Sequence, residues 1–285
     1  MKYILTVLIL PFILSSCISY RITEKDLFHI NKVSRLNKSD TLQEVYFTTE
    51  DSVQLYGWFI KNNNAKGTFL YFGGNGFFLA NPLTLDVVNT LTNFNMNLFI
   101  FDYRGLGRSE GSPTIDGIYK DGEAAYKYIC SRKDVDSTKI IIYAHSIGTF
   151  VATQVARFHN SYGVILEAPI SNAEEMRDAV IDYYAPWYLR WFVNVSADSS
   201  VMALNNLKLI GNIKQPILII AGSNDKLAPP AMAKEVYEAS RSKYKKLEII
   251  PYGEHKNIYF TNDGGRRDYF NKIVSEYLNN IFKNN

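Results

Sequence analysis

Short apolar runs alternate with amphipathic stretches along most of this chain, and the two patterns predict strands alternating with helices. The first two strands are separated by only a short turn, so we expect them to pair antiparallel. The later strands alternate with helices, as in a parallel sheet covered on both faces. The strands are predicted at 45–48, 53–60, 68–72, 98–102, 139–144, 163–167, 216–221 and 246–250. The helices are predicted at 79–94, 115–131, 147–159, 231–240 and 266–282.

The segment 171–211 interrupts this alternation and is too long for a plain crossover between two strands. We therefore predict a small helical lid there. The predicted fold class is α/β, with an eight-stranded, mostly parallel sheet flanked by helices.

A serine lies at the sharp turn between the fifth predicted strand and the helix that follows it. The sequence there reads Ala144-His145-Ser146-Ile147-Gly148. Small residues two positions before and after the serine let strand and helix approach closely, and the turn raises the hydroxyl above the sheet edge. The Ile147 N–H, at the start of the helix, is free to stabilise an oxyanion. An ordinary turn with an incidental serine is the alternative.

A serine hydroxyl is a weak nucleophile, so it needs a histidine base and a carboxylate that orients that base. Asp225 ends the turn after the seventh predicted strand, at the sheet edge where catalytic groups of α/β proteins gather. Of the four histidines, only His255 lies on a loop after a late strand; a surface histidine is the alternative. The others are His29, His145 and His159. The predicted catalytic residues are Ser146, Asp225 and His255.

A second oxyanion donor is expected after an earlier strand. The third predicted strand ends in Gly73-Gly74-Asn75-Gly76, and consecutive glycines expose backbone N–H groups without steric cost. A plain turn is the alternative explanation of these glycines.

From about residue 44 to its end, the chain resembles the α/β-hydrolase superfamily. Besides the serine turn, Asp102-Tyr103-Arg104-Gly105-Leu106-Gly107-Arg108-Ser109 resembles its D-x-R-G-x-G-x-S turn. The chain is most similar to a small-lid branch of membrane-associated esterases and protein depalmitoylases. It differs from that branch in Gly73, where the branch usually has His, and in Ala144, where it has Gly.

This resemblance implies an α/β-hydrolase fold and places the second oxyanion donor at Asn75. We interpret Arg104 as a brace between loops, through its planar fork of donors. A role for Arg104 or Arg108 in binding a substrate anion is the alternative.

The N-terminus carries a separate signal. Met1-Lys2 is a short basic region, and residues 4–14 form an apolar run of signal-peptide length, too short to span a membrane. The run ends in Leu14-Ser15-Ser16-Cys17, which resembles a bacterial lipobox. We therefore predict a signal peptide at 1–16, lipidation of Cys17, a membrane tether at 17–40 and a catalytic domain at 41–285. A plain secretory cleavage site is the alternative.

Ile18, rather than Asp, follows the predicted lipid-bearing cysteine. This favours the outer membrane of a bacterial envelope, with the domain facing the periplasm. Cys130 is the other cysteine of the chain, so we expect a buried structural thiol and no internal disulfide.

Composition agrees with one globular enzyme domain, since 47% of residues are hydrophobic and 21% are charged. A net charge of +3 is too small to indicate a nucleic-acid partner. The sequence contains no metal-ligand cluster and no phosphate-binding loop, so we expect neither a metal nor a cofactor.

The predicted lid is rich in aromatic residues. Tyr184 and Tyr188, like Trp187 and Trp191, are spaced by four and share a face wherever the segment is helical. Packing of the lid on the core is the favoured interpretation. A wall for an acyl chain, or a surface that rests on a membrane, is the alternative.

Together these features predict a lipid-anchored serine hydrolase that cleaves a carboxylic ester or thioester through an acyl-enzyme. The expected partners are a small-molecule or lipid-like acyl ester and the membrane. A serine peptidase of the same fold and a non-catalytic binding lipoprotein are the alternatives.

Overall fold

The computed structural model of the chain describes residues 18–28, 42–256 and 266–283. Its strands are β1 (Ile18–Ile22), β2 (Leu42–Thr48), β3 (Gln54–Ile60), β4 (Thr68–Phe72), β5 (Asn97–Phe101), β6 (Ile140–His145), β7 (Gly163–Glu167), β8 (Val193–Ala197), β9 (Ile217–Gly222) and β10 (Lys245–Ile250). Its α-helices are α1 (Pro82–Thr92), α2 (Ile115–Ser131), α3 (Gly148–Ala156), α4 (Ala173–Tyr184), α5 (Ser199–Met202), α6 (Asn206–Ile210), α7 (Pro230–Ala239) and α8 (Arg266–Lys283).

Eight strands form one sheet in the order β10-β9-β7-β6-β4-β5-β3-β2. β3 pairs antiparallel with β2 and with β5, and the other neighbours in the sheet pair parallel. The predicted eight-stranded, mostly parallel sheet and its antiparallel first pair are therefore confirmed.

Helices cover both faces of the sheet because its central strands are apolar on both faces. In β6, Ile140 and Ile142 pack in the cluster that contains α2, α3 and α7. Ile141 and Tyr143, which point to the opposite face, pack in the cluster that contains α1 and α8. The sheet is thereby buried between two helical layers, and the carboxyl ends of its parallel strands form one edge.

Arg104 braces this edge, as its sequence context predicts. The Nε atom of Arg104 donates to the buried Asp121 of α2 at 2.8 Å. The two terminal nitrogens donate to Asp51, in the β2–β3 turn, at 2.8 and 3.0 Å. The guanidinium is buried, and each of its three nitrogens donates to one of these two carboxylates, which favours the scaffolding role over an anion-binding one.

The predicted lid at 171–211 contains α4, a 3₁₀ turn at Arg190–Phe192, strand β8, and the short helices α5 and α6. β8 pairs parallel with β1, in a two-stranded sheet separate from the main one. This strand was not predicted. Its partner lies about 175 positions away in the chain, so no local pattern marks it.

In its described part, the predicted tether at 17–40 is a folded segment of the domain and not a linker. Residues 18–28 form β1 and a 3₁₀ turn at Glu24–Leu27, and Leu27 and Phe28 are buried in the core. The Ile115 N–H donates to the Glu24 carboxylate at 3.0 Å, which fixes this turn against α2. The predicted signal peptide at 1–16 and the lipidation site Cys17 lie outside the described residues.

The favoured packing of the lid aromatics on the core is wrong. Helix α4 ends at Tyr184, because Pro186 holds the preceding Ala185 in an extended conformation. The predicted four-residue spacings therefore do not form a continuous helical face. The aromatic side chains of this segment point to solvent instead, at Tyr183, Tyr184, Trp187, Tyr188 and Trp191.

Within the described residues, no helix combines the length and the apolar character needed to cross a bilayer. Cys130 is a free, partly buried thiol, and burial raises its pKa.

Candidate active site

Ser146 lies at the carboxyl end of β6 in a strained conformation. Its φ is +54°, in the left-handed region that non-glycine residues rarely adopt. A hydrogen bond of 3.0 Å from its N–H to the Glu167 carbonyl ties the turn to β7. At Gly148, a Cβ would lie only 2.3 Å from the Phe72 carbonyl oxygen. This position therefore requires glycine, whereas Ala144 is accommodated in the core.

The structure brings the three predicted residues together in one chain of hydrogen bonds. The Ser146 Oγ lies 3.0 Å from the His255 Nε2, and the His255 Nδ1 lies 2.8 Å from the Asp225 Oδ2. The second oxygen of Asp225 accepts the N–H groups of Leu227 and Ala228, at 2.9 and 2.8 Å. The buried Asp225 carboxylate is thus oriented from its own turn and points one oxygen at the imidazole.

This arrangement sets the tautomer of His255. A carboxylate accepts a hydrogen bond, so Nδ1 carries the proton and Nε2 is left to accept the proton of the Ser146 hydroxyl. The arrangement matches a nucleophile, a base and a group that orients the base.

A fourth residue, His145, contacts this arrangement, which its position in the sequence did not predict. Its Nε2 lies 2.9 Å from the backbone carbonyl of His255, which makes it the donor. Burial, followed by the nearby His255, lowers the pKa of His145 to about 4, so its ring is neutral at physiological pH. On the other side, a Cβ at Gly74 would lie 2.8 Å from the His145 Nδ1. The ring therefore lies between the glycine loop and the His255 loop.

A second buried carboxyl, Glu167, lies behind Ser146. Burial raises the pKa of Glu167 to about 8. The Tyr143 hydroxyl donates to the Glu167 carboxyl at 2.5 Å and lowers this pKa, whereas the nearby Asp225 raises it further. Glu167 is therefore protonated at neutral pH. This leaves Asp225 as the carboxylate that faces His255.

The glycine loop approaches the serine closely. A Cβ at Gly74 would lie 3.0 Å from the Cβ of Ser146, so only glycine fits there without displacement. Asn75 follows in this loop, and Ile147 precedes α3, as predicted. In the described part of the chain, the Oδ1 atom of Asn75 is buried and has no hydrogen-bond partner.

A cavity of about 400 Å³, here called the His255 cavity, opens beside these groups. The lid contributes its tyrosines, and the loops after β9 and β10 contribute the remaining residues. The lining residues are Tyr183, Tyr184, Asn224, Lys226, Leu227, Glu254, His255 and Lys256. Its volume lies within the range of about 300–1,000 Å³ typical of small-molecule sites.

Among residues 18–28, 42–256 and 266–283, no group of three or more histidine, cysteine or acidic side chains is arranged to hold a metal ion.

The sequence of the chain is similar to one protein family and to several known proteins. A family model described as "Serine aminopeptidase, S33" matches residues 82–210, a range that includes Ser146 and ends before Asp225 and His255. An Arabidopsis thaliana protein, α/β-hydrolase domain-containing protein WAV2, is 28% identical over 77% of this chain and 74% of its own length. The uncharacterised membrane protein YNL320W of Saccharomyces cerevisiae is 29% identical, over 83% of this chain and 79% of its own length.

Among solved structures, the esterase PF2001 of Pyrococcus furiosus superposes with a TM-score of 0.72. The superposition covers 89% of this chain and 98% of the esterase, at 21% sequence identity. At this identity the likeness is one of fold. From this superposition and from the matches in sequence, we conclude that the chain has an α/β-hydrolase fold and is similar in sequence to members of that superfamily.

Proposed function

We propose that the protein is a serine hydrolase that cleaves a carboxylic ester or a thioester through an acyl-enzyme. The observation that carries the proposal is the hydrogen-bonded chain from Asp225 through His255 to Ser146, at 2.8 and 3.0 Å. A hydroxyl paired in this way loses its proton to the imidazole as it attacks a carbonyl. The esterase named among the structural neighbours supports an ester over other acyl substrates.

In the acylation step, the Ser146 Oγ bonds to the acyl carbon while its proton moves to the His255 Nε2. Asp225 stabilises the resulting imidazolium. The N–H groups of Ile147 and Asn75 donate to the oxyanion of the tetrahedral intermediate. The intermediate then collapses: the bond to the alcohol or thiol breaks, and the leaving group takes the proton from His255.

In the deacylation step, water replaces the departed alcohol or thiol. His255 takes a proton from the water, and the hydroxide oxygen bonds to the acyl carbon. The bond to the Ser146 Oγ breaks, the serine recovers its proton from the imidazole, and a free carboxylic acid leaves. The two half-reactions restore the starting protonation of all three residues.

The substrate class is tested with p-nitrophenyl esters of rising chain length, an acyl thioester and an aminoacyl p-nitroanilide. We expect turnover of the esters or the thioester, and none of the anilide. The description of the matching family model names an aminopeptidase, so the anilide is the substrate that distinguishes a peptidase from an esterase. Hydrolysis of the anilide alone would overturn the ester assignment in favour of the peptidase alternative.

His145 is expected to act as a positioning residue, because it donates to the backbone of His255. We expect His145→Leu to lower kcat by up to about a hundredfold, the loss that a displacement of about 1 Å produces. KM should change little, since His145 does not line the His255 cavity. Steady-state kinetics on a p-nitrophenyl ester measures both constants.

The conservative variant His145→Gln separates positioning from packing. Its amide N–H reaches towards the same carbonyl, so kcat should recover part of the loss. If His145→Gln is as slow as His145→Leu while both variants unfold at the same temperature, the hydrogen bond does not position His255.

We further propose that Cys17 is lipidated and holds the enzyme in a bacterial envelope, at the periplasmic face of the outer membrane. The support is the order basic, apolar, Leu14-Ser15-Ser16-Cys17, with Ile18 after the cysteine. One acyl chain binds a bilayer only marginally, whereas the two or three of a bacterial lipoprotein give a durable anchor.

Cys17→Ser should abolish incorporation of radiolabelled palmitate when the protein is expressed in a bacterial host. Cys130→Ser is the matched control and should incorporate label like the wild type, since Cys130 is the other cysteine of the chain. Labelling is measured on the purified protein after electrophoresis. Undiminished label in Cys17→Ser would contradict the anchor.

A further inference from the structure

The exposed large hydrophobic side chains of the described residues are concentrated in the lid. Eleven such side chains are exposed, and six of them lie within residues 183–191. Trp187 is 76% exposed and Trp191 is 89% exposed. We call this set the lid patch: Tyr183, Tyr184, Trp187, Tyr188, Leu189 and Trp191. Surface hydrophobic residues scattered singly need no explanation, but a contiguous group indicates an interaction site.

An apolar groove adjoins the lid patch. It has a volume of about 460 Å³ and lies between α4, β8 and β1. Its lining is almost entirely nonpolar and includes Ile22, Val180, Ile181, Leu189, Val193 and Val195. We call it the lid groove. Leu189 belongs to both the lid patch and the lid groove, so the two form one apolar face.

The N-terminus joins the fold at this same face. Ile18 pairs with Val193, and β1 then runs parallel to β8 as far as the pair Ile22 and Ala197. Trp191 is therefore only two residues before the point where Ile18 meets the lid. In the sequence, Cys17, which we propose to be lipidated, directly precedes Ile18. The proposed lipid anchor thus joins the chain at the apolar face of the lid.

We propose that the lid patch and the lid groove form a membrane-docking surface whose occupant is the lipid bilayer. Tryptophan and tyrosine are the residues that favour the boundary between headgroups and acyl chains, and they make up five of the six residues of the lid patch. Because β1 begins beside β8 directly after Cys17, the proposed lipid anchor brings this surface close to the bilayer.

Docking in this orientation has a consequence for catalysis, which rests on the proposed function. Tyr184 lines both the lid groove and the His255 cavity, so one side chain separates the two. With the lid on the bilayer, the His255 cavity lies beside the membrane surface. A substrate whose acyl chain is held in the bilayer then reaches Ser146 without first dissolving in water.

The test uses the chain beginning at Ile18, which retains every described helix and strand and lacks Cys17 and the apolar run. Vesicles of phosphatidylethanolamine and phosphatidylglycerol, with or without brominated acyl chains, are added while tryptophan fluorescence is recorded. The chain has three tryptophans, and Trp58 is buried at 4% exposure, so the signal change comes from Trp187 and Trp191. We expect a blue shift on vesicle binding, and quenching by the brominated lipid.

Substitution then locates the surface. Trp187→Ser/Trp191→Ser should lower co-sedimentation with vesicles by about tenfold or more, since two large apolar side chains are lost from the interface. The matched control is Tyr46→Ser/Phe158→Ser, which removes two exposed aromatic residues outside the lid and should bind like the wild type. Fluorophosphonate labelling of Ser146 checks that both variants are folded, and its failure alone would concern the proposed function and not the docking surface.

Three results would overturn the proposal. The first is the absence of vesicle binding by the chain beginning at Ile18. The second is an equal loss of binding in the control variant. The third is a blue shift that depends on protein concentration without vesicles, together with dimer formation in sedimentation velocity, since this would assign the surface to a second copy of the chain.

Discussion

A fluorophosphonate probe is expected to label the wild-type protein and to leave Ser146→Ala unlabelled. The reason is that the imidazole of His255 activates only the hydroxyl that it contacts, at 3.0 Å. Ester turnover should fall by at least about four orders of magnitude, because the loss of a nucleophile removes the covalent route altogether. Gel fluorescence measures the labelling, and p-nitrophenolate release measures the turnover.

The matched control for this prediction is Ser131→Ala, which removes an exposed hydroxyl at the end of α2. It should label and turn over like the wild type. Ser146→Ala should unfold at nearly the same temperature as the wild type, since it loses one hydroxyl and keeps the backbone. Labelling that persists in Ser146→Ala would refute the nucleophile, and a folded wild type that neither labels nor turns over would favour the non-catalytic alternative.

The second large effect is expected from Asp225→Asn. An amide in this position donates to His255 where the carboxylate accepts, so the imidazole adopts the wrong tautomer. We expect kcat to fall by up to about four orders of magnitude with the fold intact. The N–H groups of Leu227 and Ala228 still have the remaining oxygen as their acceptor, so the turn should keep its shape.

Glu167→Gln is the matched control, since it alters the other buried carboxyl near Ser146. Its pKa of about 8 means that Glu167 is neutral at pH 7, so a neutral amide replaces a neutral acid. Its turnover at pH 7 should stay close to that of the wild type. The assignment of Asp225 fails if Asp225→Asn keeps wild-type turnover while Glu167→Gln loses it.

Much of the fold was predictable because local patterns mark it. Helix α2 was predicted at its observed bounds from its helical apolar pattern, and the structure adds a cap at Thr114, whose side chain accepts the Gly117 N–H. The strands of the main sheet are marked by apolar runs between polar turns, as in β6. The proximity of Ser146, Asp225 and His255 was likewise predictable, because each follows a strand and the carboxyl ends of parallel strands meet at one edge.

Strand β8 of the lid and the N-terminal strand β1 were not predictable in this way. β1 and β8 are five residues each, and each is stabilised by a partner far away in sequence. Alone, Ile18–Ile22 has no preference strong enough to distinguish a strand from a tether. The consequence is practical, because a soluble fragment that begins near residue 40 lacks the partner of β8, whereas one that begins at Ile18 keeps it.

The role of His145 could not be predicted from the sequence either. Its neighbour in the chain is Ser146, yet its contact is with a carbonyl 110 positions later. The direction of a side chain at a strained turn depends on which loops surround it, and this information is not local. By contrast, Ile147 was predicted from its position at the start of the helix, and Asn75 from the resemblance to the α/β-hydrolase superfamily. Their role as oxyanion donors stays a prediction.

Mass spectrometry of the protein quenched within its first turnover is the most direct test for an acyl-enzyme at Ser146. With p-nitrophenyl acetate as substrate, we expect a burst of about one p-nitrophenolate per chain. We also expect one added acetyl group on the peptide that contains Ser146, which disappears on further incubation. An unmodified Ser146 during steady turnover, or an acetyl group on another residue that decays at the rate of turnover, would contradict this acyl-enzyme.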